Sequence, residues 1–272
     1  MNKDPLFKHV SLQTINRCNR KCEFCANKDI KKEKHYMSIE DLKIILEQLE
    51  RLEFNGRISP YLQSEPLLDK RMPEIISLIR RYCPYSYIMI NTNGDLLDEN
   101  LFKVLFCSGI NCITVNCYDN KNQYVIRNNN FENWVQNILD LSEIKVFTQV
   151  PLNIEYQYHS PAKMFVILRD CSSYSINSGF LTSRMGNIQN KKVNFKLPIK
   201  KYCRRPFEQI YINSYGYVIL CCEDWKNEII MGNNKEALLI DIWQNSKFGK
   251  YRMNLEKENR NIKGCRTCDF IY

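Results

Sequence analysis

Hydrophobic positions along the chain repeat with two different periods. Short runs with a period of two read as strands at His9–Ile15, Arg57–Leu62, Tyr87–Asn91, Cys112–Tyr118, Ile144–Val150 and Tyr174–Phe180. Longer runs with helical spacing lie between them. The clearest follows Ser38, which reads as an N-cap with Glu40 and Asp41 in the first turn. It sets Leu42, Ile45, Leu46, Leu49 and Leu52 on one face. Asp69–Arg81, Asp98–Phe106, Phe131–Leu141 and Pro161–Arg169 carry similar patterns. Six strand-then-helix units predict a parallel sheet with right-handed crossovers. Six units are too few to close an eight-stranded barrel. The expected fold is therefore α/β, a partial, open (β/α)6 TIM-like barrel over residues 1–195.

The same alternation says which strand face is wet. Cys112, Thr114, Asn116 and Tyr118 share one face of strand four, and Ile113, Val115 and Cys117 the other. The polar set is expected inside the barrel and the apolar set against the helices. Met89, Asn91 and Asn93 follow strand three inward, and Tyr61, Gln63 and Glu65 follow strand two. Beyond Lys196 the pattern changes. Ile210–Ile212 and Tyr217–Leu220 alternate around Ser214-Tyr215-Gly216, which predicts a β-hairpin. Residues 196–272 are expected to form a second, small, cysteine-rich hairpin and helix unit.

Bulk composition narrows the class. The chain has 272 residues, 44% hydrophobic and 25% charged, as an ordinary globular protein does. It holds no long apolar run for a membrane span, and Met1–Pro5 has no signal-peptide core, so a cytoplasmic protein without membrane attachment is expected. The net charge of +9 is spread along the chain, with its densest run at Lys28–Lys34. No nucleic-acid motif accompanies it, so no nucleic-acid partner is expected. Thirteen cysteines in a reducing compartment point to metal, cluster or redox chemistry and not to disulfides.

Cys18, Cys22 and Cys25 stand in Cys-x3-Cys-x2-Cys spacing, with Phe24 before the last. Three close thiolates can grip one face of an iron–sulfur cube and leave the fourth iron open to an exchangeable ligand. The motif begins just past the end of strand one, where parallel α/β folds collect their chemistry. Half of a zinc site is the competing reading. The spacing resembles that of radical S-adenosylmethionine (radical SAM) enzymes, whose usual core is a partial barrel. The resemblance implies a [4Fe-4S] cluster on Cys18, Cys22 and Cys25, S-adenosylmethionine bound at its open iron, and Phe24 near the adenine. Gln63-Ser64-Glu65-Pro66 occupies the place of the family's Gly-Gly-Glu-Pro motif, so Glu65 is the expected partner of the cofactor's ammonium group. Asn91-Thr92-Asn93-Gly94 is similar to the family's Thr-Asn-Gly at the end of strand three. Asn91, Asn93 and Gly94, with Asn116, are expected around the cofactor. Arg127 and Gln149 are candidates for its carboxylate or ribose. Arg184-Met185-Gly186-Asn187 resembles a family Arg-x-Gly turn near the active site.

Cys203, the pair Cys221-Cys222, Cys265 and Cys268 form a second set, able to hold one complete cluster or one zinc. Their order, with Gly216 five residues before Cys221, Ile242-Trp243 and Lys247-Phe248 between, resembles the SPASM/twitch extension of radical SAM enzymes. That implies an auxiliary [4Fe-4S] cluster. The register of the motif makes Cys203, Cys221, Cys265 and Cys268 its ligands, although Cys222 can exchange roles with Cys221. A spare Cys222 would be a candidate hydrogen-atom donor to a substrate radical, and Asp224 a candidate to orient a substrate hydroxyl or amine. Cys83, Cys107, Cys112, Cys117 and Cys171 lack ligand spacing and are expected in or near the core. The family's activity, as the resemblance implies it, is reductive cleavage of S-adenosylmethionine to a 5′-deoxyadenosyl radical. The electron comes from flavodoxin or ferredoxin, and the radical takes hydrogen from a peptide or sugar-like substrate. Epimerisation, dehydrogenation and crosslinking are all open outcomes. A C-terminal structural zinc site and a non-enzymatic cysteine-rich binding module are the alternatives.

Overall fold

Continuous β-branched and aliphatic runs build the centre of the molecule, because parallel strands covered on both sides need apolar residues. The structure is a computed structural model that describes residues 6–30, 33–117, 181–188, 191–193 and 196–271, together with the strands Ile144–Phe147 and Met164–Asp170. Its strands are β1 (His9–Leu12), β2 (Arg57–Ser59), β3 (Tyr87–Thr92), β4 (Cys112–Cys117), β5 (Ile144–Phe147), β6 (Met164–Asp170), β7 (Gln209–Ile212), β8 (Tyr217–Ile219) and β9 (Ile230–Asn233). They form one sheet in the order β5-β6-β4-β3-β2-β1-β7-β8-β9. Every pairing among β1 to β6 is parallel, as the repeating pattern predicts.

Three differences from expectation have local causes. Strand two stops at Ser59 because Pro60 has no N–H to continue the ladder. Strand one stops at Leu12, and the chain then turns to pair Ile15 with Tyr36. Residues 164–169, expected within the helix Pro161–Arg169, lie in β6. The run Met-Phe-Val-Ile-Leu is short, continuous and apolar, and its β-branched Val166 and Ile167 suit a strand inserted beside β4. The expected strand Tyr174–Phe180 and helix Phe131–Leu141 lie outside the described residues.

Helices α1 (Ile39–Arg51), α2 (Met72–Tyr82) and α3 (Glu99–Cys107) follow β1, β2 and β3. Ser38 caps α1 by accepting a hydrogen bond from Asp41 N at 2.9 Å, and Asp98 caps α3 in the same way through Leu101 N. Leu42, Ile45, Leu46 and Leu49 of α1 and Ile75, Ile76 and Ile79 of α2 are buried with Val10, Leu12, Ile58, Ile88 and Ile90 of the strands. Cys83 belongs to this core and Cys112 is buried, but Cys107, at the end of α3, is exposed.

The opposite face of the sheet is polar well below the strand ends. His9 Nε2 lies 3.0 Å from Ser59 Oγ, and Arg57 lies 2.7 Å from His9 Nδ1. Burial, and then the Arg57 charge, hold the His9 imidazole well below its usual pKa, so it is neutral.

The C-terminal region is continuous with the sheet. β7 runs parallel to β1, pairing His9 through Leu12 with Gln209 through Ile212. β8 returns antiparallel to it, as the hairpin pattern predicts. Asn213 Oδ1 accepts from the Tyr215 and Tyr217 amides, and Gly216 supplies the positive φ of +89° that the turn requires. The short helices α4 (Arg205–Glu208) and α5 (Leu239–Gln244) and the longer α6 (Ser246–Glu256) complete this part. Among the described residues no helix is long and apolar enough to cross a membrane.

Candidate active site

The carboxyl ends of the strands open into a cleft of about 510 Å³. The first loop gives it Cys18, Cys22, Phe24 and Cys25. The segment after β2 gives Tyr61, Gln63, Ser64 and Glu65. Asn91 and Asn93 enter from β3, and Asn116 from β4. Tyr61, Gln63, Glu65, Asn91, Asn93 and Asn116 are among the residues that strand alternation placed inward, whereas Met89, Cys112 and Thr114, from the same inward sets, do not line the cleft. Gly94 follows directly behind Asn93. Arg127 and Gln149 lie outside the described residues.

The cysteine loop is tied down from two sides. Cys25 N donates to Cys22 O at 3.0 Å, and Arg20 N donates to Cys18 Sγ at 3.4 Å. Asn93 Nδ2 reaches across to Asn19 Oδ1 at 2.8 Å. Asn19 and Arg20 both bond Asp95, the latter through Nε at 2.6 Å and through its second nitrogen. The clamp requires a tight turn at Gly94, where φ is +78° and an added Cβ would lie 2.8 Å from Val115 Cγ1. Gly94→Ala is expected to destabilise the fold by about 1–2 kcal/mol from the left-handed backbone alone. A denaturant titration against wild type checks this.

Glu65 is 3% exposed. Oε1 accepts from Thr92 Oγ1 at 2.6 Å and from Leu67 N at 3.1 Å, and Oε2 accepts from Asn93 N at 2.8 Å. Its own amide donates to Arg17 O at 2.8 Å, which fixes the cysteine loop to the same point. An ionised carboxylate has about four lone-pair positions, so one at Oε2 remains for a cationic ligand. Burial pushes the carboxyl above its ordinary pKa, and the three hydrogen bonds oppose that shift.

A second, smaller cavity is lined by Cys203, Cys221, Cys265 and Cys268, together with Arg205, Arg260 and Phe270. The four thiols that the sequence motif selects share one wall space. Arg260, 2% exposed, holds their loops together by donating to the carbonyls of Lys201, Tyr202 and Phe270. Cys222 is in neither lining. Its thiol contacts Cys221 and Tyr211. Asp224 does not line the cleft either. Its carboxylate accepts from Glu228 N and Ile229 N at 3.0 and 2.8 Å, so it closes its own turn instead of facing a substrate.

Both thiol sets suit a cationic group. Burial, and then the neighbouring Cys25 and Cys18, raise the Cys22 thiol to about 11. Burial likewise raises Cys265 to about 12 and Cys268 to about 11. Iron ligation supplies the positive charge that such thiolates need. Among the described residues no three Cys, His, Asp or Glu side chains converge as the ligands of a single metal ion would. Each set instead surrounds a shared space.

A buried ion chain joins the two cavities. Arg184, which lines the cleft, donates to Glu223 Oε1 at 2.8 Å. Arg205 donates to the same oxygen at 3.0 Å and lies 3.6 Å from Cys221 Sγ. Thr182 Oγ1 donates to Glu223 Oε2 at 2.8 Å. Burial alone would raise the Glu223 carboxyl, but Arg184 and Arg205 hold it below the usual value, so it is ionised. Arg184 was legible from its Arg-x-Gly turn. Arg205, Glu223 and Trp225, which also lines the cleft, were not. Their proximity to Cys203 and Cys221 in the chain is the only signal they carry.

Comparison with known proteins separates the readings. The family model described as "Radical SAM superfamily" matches residues 12–154, and the SPASM model, an iron-sulfur cluster-binding domain, matches residues 203–269. The chain belongs to the radical SAM superfamily. It is a radical SAM enzyme, and its cofactors are S-adenosylmethionine, the SAM-binding [4Fe-4S] cluster and an auxiliary [4Fe-4S] cluster. A curated relative is 28% identical over 270 residues, spanning 98% of this chain and 95% of its own. It is the S-adenosyl-L-methionine-dependent 2-deoxy-scyllo-inosamine dehydrogenase of Niallia circulans. The crystal structure of BtrN in complex with AdoMet and 2-DOIA is 27% identical, with a TM-score of 0.75, and the match covers 99% of this radical SAM chain and 95% of BtrN. Native anSMEcpe with bound AdoMet shares the fold at 14% identity, with a TM-score of 0.57 over 96% of this chain and 87% of its own.

Proposed function

We propose that this radical SAM enzyme oxidises a secondary alcohol on an aminocyclitol or similar polyhydroxylated small ring to the ketone. The observation that carries this reading is the end-to-end match to a 2-deoxy-scyllo-inosamine dehydrogenase, with few residues left over on either chain. The cleft agrees with it. Gln63, Ser64, Asn91 and Trp225 line it, and Gln63 Oε1, Ser64 Oγ, Asn91 Oδ1 and Trp225 Nε1 are buried polar atoms with no hydrogen-bond partner among the described residues. Such groups suit a ligand rich in hydroxyls and amines.

In this reading Cys18, Cys22 and Cys25 hold the SAM-binding cluster, and Glu65 takes the cofactor's ammonium at its remaining lone pair. Phe24 lies beside the adenine. Asn91, Asn93, Gly94 and Asn116 surround the ribose and carboxylate, with Arg127 and Gln149 as further candidates. Cys203, Cys221, Cys265 and Cys268 hold the auxiliary cluster. When bound, the cofactors supply a radical that removes the carbon-bound hydrogen and an acceptor for the electron that follows, which with loss of the hydroxyl proton leaves a ketone. Arg184, fixed by Glu223, sets a cation on the cleft wall, where it favours loss of the proton from a nearby hydroxyl. Cys222 lines neither cavity, which favours the oxidative outcome over hydrogen return and epimerisation. Flavodoxin or ferredoxin supplies the first electron, and the reducing cytoplasm keeps the thiols competent.

Arg205 is expected to tune the auxiliary cluster. A guanidinium beside Cys221 Sγ favours the more negative, reduced state. Arg205→Gln should lower that midpoint potential by about 65–130 mV, given about 1.5–3 kcal/mol for a charged hydrogen bond and 59 mV per tenfold for one electron. Potentiometry followed by electron paramagnetic resonance reads this. An unchanged potential would mean that Glu223 cancels the Arg205 charge. The function itself is tested by anaerobic incubation with 2-deoxy-scyllo-inosamine, S-adenosylmethionine and reduced flavodoxin. Ketone, 5′-deoxyadenosine and methionine should form in equal amounts. An inverted alcohol in place of ketone contradicts the reading.

A further inference from the structure

Two side chains that line the cleft, Gln63 and Trp225, take no part in the hydrogen-bond network around Glu65. Gln63 stands where the family motif has its first Gly. It is 1% exposed, and its Nε2 donates to Cys222 O and to Asp224 O, both at 3.0 Å. Carbonyl oxygens only accept, so these two bonds fix which end of the amide is nitrogen. With both N–H groups engaged, Oε1 is a buried acceptor without a partner among the described residues. Trp225 follows Asp224 directly and lines the same cleft. Its Nε1–H is a buried donor without a partner among the described residues. An unpaired acceptor on the segment after β2 and an unpaired donor on the segment 222–225 thus lie side by side, tied together by the two Gln63 bonds.

We propose that Gln63 and Trp225 form a substrate subsite that reads an amine and a hydroxyl on the same ring. An indole N–H can only donate, so Trp225 takes the hydroxyl oxygen and cannot take an ammonium. Gln63 Oε1 can only accept, and of the ring's donors the charged ammonium N–H makes a stronger bond to it than a hydroxyl does. The pair selects amino alcohols over simple polyols. The Gln63 bonds to Cys222 and Asp224 place the subsite relative to the segment that follows Cys221, so substrate position is set from the auxiliary side of the cleft. This inference rests on the dehydrogenase reading and adds the residues that choose the substrate.

The test uses the full chain with both clusters reconstituted anaerobically, with S-adenosylmethionine and no reductant, so that binding is read without turnover. The ligands are 2-deoxy-scyllo-inosamine, its counterpart with hydroxyl in place of the amine, and amine-bearing analogues lacking one hydroxyl. Wild type should prefer the amine by about tenfold or more, as hydrogen bonds to charged groups do. Gln63→Met should abolish that preference. Trp225→Phe keeps the ring and should weaken the inosamine by about threefold to tenfold, yet cost nothing with the analogue lacking the hydroxyl it contacts. Should Gln63→Met fail to fold, the pairing of Trp225→Phe with that analogue decides alone. Wild-type amine preference retained in Gln63→Met, or a Trp225→Phe penalty that is the same for every analogue, overturns the subsite while the dehydrogenase reading stands. A wild type that binds no cyclitol overturns both.

Discussion

Glu65→Gln is expected to weaken S-adenosylmethionine binding by about ten- to hundredfold, and to lower thermal stability at the same time. The first effect is the loss of a charge-assisted hydrogen bond to the ammonium, about 1.5–3 kcal/mol. The second comes from inside the protein. Thr92 Oγ1, Leu67 N and Asn93 N all donate to this carboxylate. A glutamine turns an NH2 group toward at least one of these donors and leaves it unpaired, at about 1–3 kcal/mol. Calorimetric binding and a melting curve read the two effects separately. The pH dependences should run in opposite directions. Burial raises the Glu65 pKa, so the folded state holds the proton more tightly than the unfolded chain does. Its stability contribution is therefore full below the ordinary glutamate pKa and is lost as pH rises through the folded value. Cofactor binding needs the carboxylate, so affinity falls as pH is lowered through that same folded value. Wild-type affinity in Glu65→Gln would remove Glu65 from the cofactor site.

The second large effect separates two adjacent cysteines. Cys221 lines the cavity with Cys203, Cys265 and Cys268, and Cys222 does not. Cys221→Ser is expected to lower iron from about eight to about four per chain, the content of one cubane cluster. Ketone formation should be lost with it, while 5′-deoxyadenosine formation at the first site survives in part. Cys222→Ser should keep about eight irons and most of its turnover. Iron and sulfide analysis on both variants decides this. The reverse pattern would make Cys222 the ligand and reopen the epimerase mechanism for Cys221.

Much of the site was legible because its signals are local. Three thiols within eight residues, Glu65 before Pro66, and Asn-Thr-Asn-Gly at a strand end each lie on one loop. Strand alternation then placed Asn91, Asn93 and Asn116 on the inner face, and they line the cleft. What sequence did not carry depends on distant segments. Nothing local says that β7 pairs with β1, some 200 residues away, and so merges the C-terminal hairpin into the main sheet. Residues 164–169 form a strand and not a helix, because a short apolar run has no period that separates a buried helix from a buried strand. Asp224 is by sequence a candidate to orient a substrate group, but its carboxylate closes a turn that only the path of residues 224–229 reveals. The chain Arg184–Glu223–Arg205 joins residues up to 39 apart, and only Arg184, in its Arg-x-Gly turn, carries a motif.

The most direct test of the account follows one atom. 2-Deoxy-scyllo-inosamine carrying deuterium on every carbinol carbon is turned over anaerobically, and 5′-deoxyadenosine and product are analysed by mass spectrometry. The account predicts one deuterium in each 5′-deoxyadenosine and one ketone formed with it. Unlabelled 5′-deoxyadenosine, or an alcohol of inverted configuration carrying solvent hydrogen at a carbinol carbon, would contradict it.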